Sequence, residues 1–185
     1  MPPKVKITKQ QIVTAALELV RKGSAESIKA RAVANALNCS TQPVFSNFET
    51  MEQLRGAVVQ VAEALYDDYT KQEVESEKHP IYKATGMAYI RFAKEEKELF
   101  KLLFMRDTSK ENTPSFSKEI LEIVQSNTGL DGKSAELFQL EIWAFVHGIA
   151  AMLATNYLEL DTALISDMIT DVYQGLKSRY QAKEQ

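Results

Sequence analysis

A helix of about two turns cannot hold itself together in water, and the sequence calls for one between residues 41 and 47. The stretch Asn38-Cys39-Ser40-Thr41-Gln42-Pro43-Val44-Phe45-Ser46-Asn47-Phe48-Glu49-Thr50-Met51-Glu52-Gln53-Leu54 reads as a tight turn, a very short polar helix, a second turn and the start of a new helix. Such a segment forms only where neighbouring elements cover its few apolar side chains. The chain on either side must therefore build a helical framework around it.

That framework is legible as a 3.6-residue period nearly throughout. Thr8 and Gln11 form a capping box, and Ile12, Ala15, Ala16, Leu19 and Val20 follow at helical spacing up to a stop at Gly23. A second helix is expected over 30–37, burying Val33, Ala34 and Leu37. The third covers 41–47, with Ser40 as N-cap and Pro43 at the third position, where first-turn amides lack intrahelical partners. Thr50 and Gln53 make a second capping box for a helix running to about Lys71. Ser76 to Pro80 is a break, and a helix is expected from Ile81 to Glu95. Leu99 to Met105 reads as a short buried helix. Arg106 to Thr113 reads as a loop, with Pro114 opening the next helix. Residues 126–132 are a loop, and two final helices are expected over 134–158 and 162–180. Strand alternation, repeats and low-complexity tracts are not discernible, so the fold class is all-α.

The 185 residues allow one domain or two small ones. A boundary near residue 50 divides a head, 1–50, from a body, 51–185. One cysteine excludes an internal disulfide and a multi-cysteine zinc site, and no metal or cofactor is expected. No apolar run reads as long enough to span a bilayer, and the first residues lack a signal-peptide core, so a cytoplasmic location without membrane association is expected. The net charge of −3 argues against a nucleic-acid partner, but its distribution argues for one. Residues 1–56 hold eight basic and four acidic residues, a balance of +4, which leaves −7 on the remainder. A basic end on an acidic body suits docking on phosphate.

The helix over 134–158 is apolar on most sides and carries a small-residue stripe of Ala144, Gly148, Ala151 and Thr155. The last helix has a wide apolar face built from Leu164, Ile165, Met168, Ile169, Val172, Tyr173 and Leu176. A homodimer through these last two helices would cover both faces.

Three helices with a turn of about three residues between the second and third form a helix-turn-helix unit. Val44 and Phe48 would pack inward, leaving Thr41, Gln42, Phe45, Ser46 and Asn47 outward, where Gln42 can pair with base edges in the major groove. From Thr8 to about Val59 the sequence resembles the N-terminal domain of the tetracycline-repressor (TetR) family of bacterial transcription regulators. The matching residues are Ile12, Ala15-Ala16, Leu19, Gly23, Val33-Ala34, Leu37, Ser40, Val44-Phe45, Phe48, Glu52 and Leu54. The resemblance implies an all-helical homodimer with one DNA-reading head per protomer and a C-terminal ligand-binding and dimerising domain. Lys29, Arg31, Ser40, Thr41, Gln42, Pro43, Phe45, Ser46 and Asn47 are the DNA-binding candidates. Asn38 stands where the family usually has glycine, and asparagine tolerates the left-handed backbone needed there. Phe45 and Met51 replace a usual tyrosine and lysine, removing two phosphate contacts. Lys29 stands where threonine usually caps the second helix, so Ser27 is expected to take the cap.

Trp143, His147 and Gly148 resemble the tryptophan–histidine–glycine helix of one C-terminal subgroup of that family, and Leu99 to Phe104 fits the same subgroup. Phe92, Phe100, Phe104, Met105, Trp143, His147 and Met152 are candidates to line a pocket for a small apolar or amphipathic effector; such residues also make ordinary cores. His147 reads either as a sensing group or as a buried, satisfied histidine, and Cys39 either as a redox group or as a small turn residue. No nucleophile–base pair, P-loop or dinucleotide fingerprint is discernible, so no enzyme is expected. The expected function is a ligand-responsive DNA-binding regulator, a repressor released from a palindromic double-stranded operator by its effector. The alternative is a helical ligand-binding protein that acts through protein partners.

Overall fold

The computed structural model describes residues 7–106 and 116–183, and among these every regular element is helical. The helices are α1 (Lys9–Lys22), α2 (Ala30–Ala36), α3 (Gln42–Asn47), α4 (Met51–Glu75), α5 (Ile81–Glu95), α6 (Lys97–Phe104), α7 (Lys118–Thr128), α8 (Gly132–Ala154) and α9 (Thr162–Lys183), with a 3-10 turn at Ala25–Ser27. They belong to two compact units. One is drawn from Met1–Asp67 and Glu96–Arg106, the other from Asp68–Glu95 and Asp107–Gln185.

In the first unit α1 packs against α2, α3 and α6. Thr8 caps α1 through a reciprocal box: the Gln11 amide donates to Thr8 Oγ1 at 3.2 Å and the Thr8 amide to Gln11 Oε1 at 2.9 Å. The 3.6-residue period puts Ile12, Ala16 and Val20 wholly out of solvent, and Val33, Val44, Leu54, Val58, Leu99 and Phe100 join them. Of the patch expected over 99–105, Leu99 and Phe100 form the buried face of α6, residues 101–104 are half-buried, and Met105 lies beyond the helix and is exposed. Arg21 on α1 donates to both Glu96 carboxylate oxygens, at 2.8 and 2.6 Å, and to Glu18 at 2.7 Å. These hydrogen bonds, Glu96 first, hold the Arg21 pKa above its ordinary value against the opposing effect of burial.

In the second unit α8 is the central helix, packed by α5, α7 and α9. Phe138, Ile149 and Ala150 of α8 meet a core that includes Phe92 and Ala88 of α5, Val124 of α7 and Ile165 of α9. α8 is long and apolar enough to cross a bilayer by length and composition, contrary to the sequence expectation. Its apolarity has a local cause, because helices cover it on several sides.

Several boundaries differ from expectation. Thr41, not Ser40, is the N-cap residue of α3, with φ −72° and ψ −12°, so Pro43 occupies the second helical position. Lys29 takes the N-cap position of α2 without a side-chain hydrogen bond. Ser27 does not cap α2; its hydroxyl accepts from the Ser24 amide at 3.2 Å within the 3-10 turn. Gln53 accepts from the Glu49 amide at 2.9 Å, one residue beyond a reciprocal box with Thr50, although the Gln53 amide does donate to Thr50 Oγ1 at 3.2 Å. α4 runs on to Glu75, and α8 stops at Ala154, just before Asn156 at φ 56°. α7 starts at Lys118 with Ser117 as its cap, later than the expected start. Pro114, the loop residues 107–113, and Lys4 and Lys6 lie outside the described residues.

Candidate recognition helix and cavity

Between α2 and α3 the chain reverses through Asn38, whose φ of 50° lies in the left-handed region. Asparagine tolerates that conformation better than other side-chain-bearing residues. The Cys39 amide donates to the Ala34 carbonyl at 2.9 Å, closing the turn. Cys39 is half-buried, as a small turn residue is. Val44, with no solvent exposure, anchors the middle of α3, and Phe48 (3% exposed) anchors its end beneath the Lys9 ammonium, 5.0 Å from the ring centroid.

This anchoring fixes which side chains are presented. Ser40, Gln42, Phe45 and Ser46 are exposed, Thr41, Pro43 and Asn47 are half-buried, and Lys29 and Arg31 are exposed at the start of α2. Two of these polar groups already have internal partners. Ser46 Oγ donates to the Gln42 carbonyl at 2.9 Å and Asn47 Nδ2 to the Pro43 carbonyl at 2.8 Å. Ser46 in this rotamer therefore presents lone pairs and no proton, whereas the Asn47 amide retains a second N–H. The Gln42 side-chain amide has no partner among the hydrogen bonds described; only its backbone carbonyl accepts, from Ser46.

The second unit contains a cavity of about 360 Å³. His79, Tyr82, Lys83 and Gly86 reach it from α5 and the residues before it, Ile142 and Val146 from α8, and Ile169, Thr170, Tyr173, Gln174 and Lys177 from α9. Tyr82 donates to Gln139 Oε1 at 2.6 Å, and its ring leans on Tyr173 at a centroid distance of 5.6 Å. Burial, followed by the neighbouring Tyr173, pushes the Tyr82 pKa up; burial alone does the same at Tyr173, so both phenols stay neutral at physiological pH. Lys83 Nζ donates to Thr170 Oγ1 at 2.8 Å and Lys177 Nζ to the Asn127 carbonyl at 2.7 Å.

None of the seven side chains expected to line a pocket lines this one. Phe92 and Phe100 have no solvent exposure and fill the cores of different units. Phe104 packs edge-on to Tyr66 and Met105 is 43% exposed, both in the first unit. Trp143, His147 and Met152 lie on α8. His147 stacks on Trp143 at 4.9 Å, and its Nδ1 is 2.8 Å from the Tyr89 hydroxyl. A neutral ring with its proton on Nε2 accepts that phenol proton at Nδ1, and burial holds the His147 pKa below its ordinary value. His147 shares the part-exposed side of α8 with Leu137 (48% exposed), Leu140 (46%) and Trp143 (37%), whereas Tyr89 belongs to α5 and is buried. Sequence reading missed the cavity because its polar members, Tyr82, Lys83, Thr170 and Lys177, come from distant parts of the chain. The available signal was Lys177 four residues after Tyr173 and three before Tyr180 on the inward side of α9.

Residues 82–173 match the family model described as the tetracyclin repressor-like C-terminal domain. Among solved structures, the chain is similar to a TetR-like transcriptional regulator from Rhodococcus sp. RHA1. That similarity covers 98% of both chains with a TM-score of 0.65 and 14% sequence identity, a likeness of fold. No curated protein matches the sequence.

Proposed function

From its membership of the tetracyclin repressor-like family, we propose that this chain is a cytoplasmic, ligand-responsive transcriptional repressor. It binds a palindromic operator as a homodimer and is released by a small effector. The single observation that carries the DNA-binding half is α3, a six-residue helix anchored by Val44 and Phe48 that leaves Gln42, Phe45 and Ser46 exposed. Residues 1–50 act as the reading head, with Gln42 at base edges and Lys29 and Arg31 at the phosphate backbone.

The dimer forms through the last two helices. On α8, Leu137, Leu140 and Trp143 offer apolar surface, and a Cβ placed on Gly148 would meet no other atom within 4 Å, so a partner helix has room to approach closely. Two heads on one face of a duplex must then lie about 34–36 Å apart. An effector that prefers the unbound form by about 2.7 kcal/mol lowers operator affinity about a hundredfold.

Footprinting on the DNA upstream of its own gene, followed by titrations with variants, tests this reading. Gln42→Ala should flatten base preference at one position of each half-site. Lys29→Ala should weaken every sequence alike and reduce the salt slope by about one. Unchanged site preference and salt dependence in both variants would refute this docking.

A further inference from the structure

Positive charge in the cavity of the second unit has no carboxylate to balance it. Its titratable lining residues are His79, Tyr82, Lys83, Tyr173 and Lys177, and no aspartate or glutamate lines it. Each lysine meets a neutral oxygen, Lys83 the Thr170 hydroxyl and Lys177 the Asn127 carbonyl. An ammonium has three protons, so each keeps two for a further acceptor. The Thr170 hydroxyl directs its own proton to the Ser166 carbonyl at 3.0 Å, which leaves it an acceptor toward Lys83. Among the described residues no ion pair is formed by either lysine. A partly desolvated cation facing only neutral oxygens gains from an added anion. The lining also includes the neutral amides of Asn127 and Gln174, and its apolar wall is made by Ile142, Val146 and Ile169 with Tyr173. No arginine lines the cavity to grip a phosphate in two-pronged fashion.

We propose that this cavity binds a small amphipathic carboxylate, its head on the Lys83 and Lys177 ammonium groups and its apolar body against Ile142, Val146 and Ile169. The proposal rests on the effector reading above and narrows it from an apolar or amphipathic molecule to an anionic one. The volume of about 360 Å³ is near the lower end for ligand pockets and suits a metabolite-sized body.

Calorimetric titration of the full-length protein with decanoate and with 1-decanol tests it, because the two probes share a chain and differ in head charge. Decanoate should bind at least about tenfold more tightly than decanol. Lys83→Met and Lys177→Met keep an apolar stem, and each should cost decanoate about tenfold while leaving decanol unchanged. Retained decanol binding reports that the cavity is intact in each variant, and the wild-type comparison needs no variant at all. Equal affinity for the two probes, decanoate affinity that survives both substitutions, or no decanoate binding up to about 1 mM would overturn the proposal. Inorganic phosphate binding as tightly as decanoate would also overturn it, since the apolar wall would then contribute nothing. These titrations contain no DNA. A protein that binds decanoate but no operator refutes the regulator reading alone, and one that binds its operator but shows no head-group preference refutes only the anionic effector.

Discussion

Two phenylalanines three residues apart should separate stability from recognition. On a continuous helix, residues at that spacing share a face. Here α3 ends at Asn47, and Phe48, its C-cap with φ −136° and ψ 121°, keeps the register of Val44 through its amide hydrogen bond to the Val44 carbonyl at 2.9 Å, so both side chains enter the core while Phe45 falls beside that face. Phe45 remains 53% exposed while Phe48 is 3% exposed. Phe48→Ala removes a close-packed ring and should cost about 3–5 kcal/mol. Loss of the Lys9 ammonium contact at 5.0 Å adds about 0.5–1 kcal/mol. That is a large part of the roughly 5–15 kcal/mol by which folded domains are stable. Phe45→Ala touches no core and should change stability by no more than about 0.5 kcal/mol. It removes an apolar group able to meet a thymine methyl, so operator affinity should fall by about tenfold. Urea unfolding followed by far-ultraviolet circular dichroism reads the first quantity, and fluorescence anisotropy on a labelled operator duplex reads the second. If the two variants shift the unfolding midpoint equally, the account of how α3 ends is wrong. If Phe45→Ala leaves DNA affinity unchanged, Phe45 has no part in recognition.

Two further outcomes are expected. Burial depresses the His147 pKa, so the folded state takes up its proton later than the unfolded chain does. That stabilising contribution is complete above the unfolded-state value near 6.5 and is lost as pH falls below it toward the folded-state value. His147→Asn keeps an acceptor for the Tyr89 hydroxyl and should flatten that part of the melting-temperature profile between about pH 7 and pH 5; an identical profile would exclude His147 as its source. A Cβ added at Gly148 meets nothing within 4 Å beyond its own helix backbone and chain neighbours, and Gly148→Leu gains up to about 1 kcal/mol of helix propensity. It should nevertheless convert a dimer into a well-folded monomer in sedimentation experiments, and an intact dimer would move the interface away from this stripe.

What the sequence disclosed, and what it withheld, follows from the range of the interactions involved. Thr8 with Gln11, and Asn38 at its left-handed turn, were readable because cap and turn chemistry act within four residues. Val44 and Phe48 were readable as the inward side of α3 because their neighbours supply the periodic contrast. The displaced caps at Thr41 and Lys29 were not, because one residue of backbone torsion decides between adjacent candidates. The cavity was least legible. Its two ammonium groups are held by Thr170 and Asn127, partners 87 and 50 residues away, while the aromatics that drew attention, Phe92 and Phe100, are core. An apolar ring in a sequence marks burial, and a pocket needs absent volume, which no local pattern encodes.

The first unit is assembled from two separate stretches of chain, and this imposes an order on its birth. Leu99 and Phe100, which close the core beside α1, are synthesised only after α4 and α5 are complete. A nascent chain ending at Asp67 carries α1, α2 and α3 with an apolar groove still open. Such exposed surface is what molecular chaperones bind. The core of the first unit is therefore completed only once residues 96–106 have been synthesised. Any hybrid regulator made by transplanting residues 1–67 alone would inherit that open groove, and residues 96–106 must travel with them.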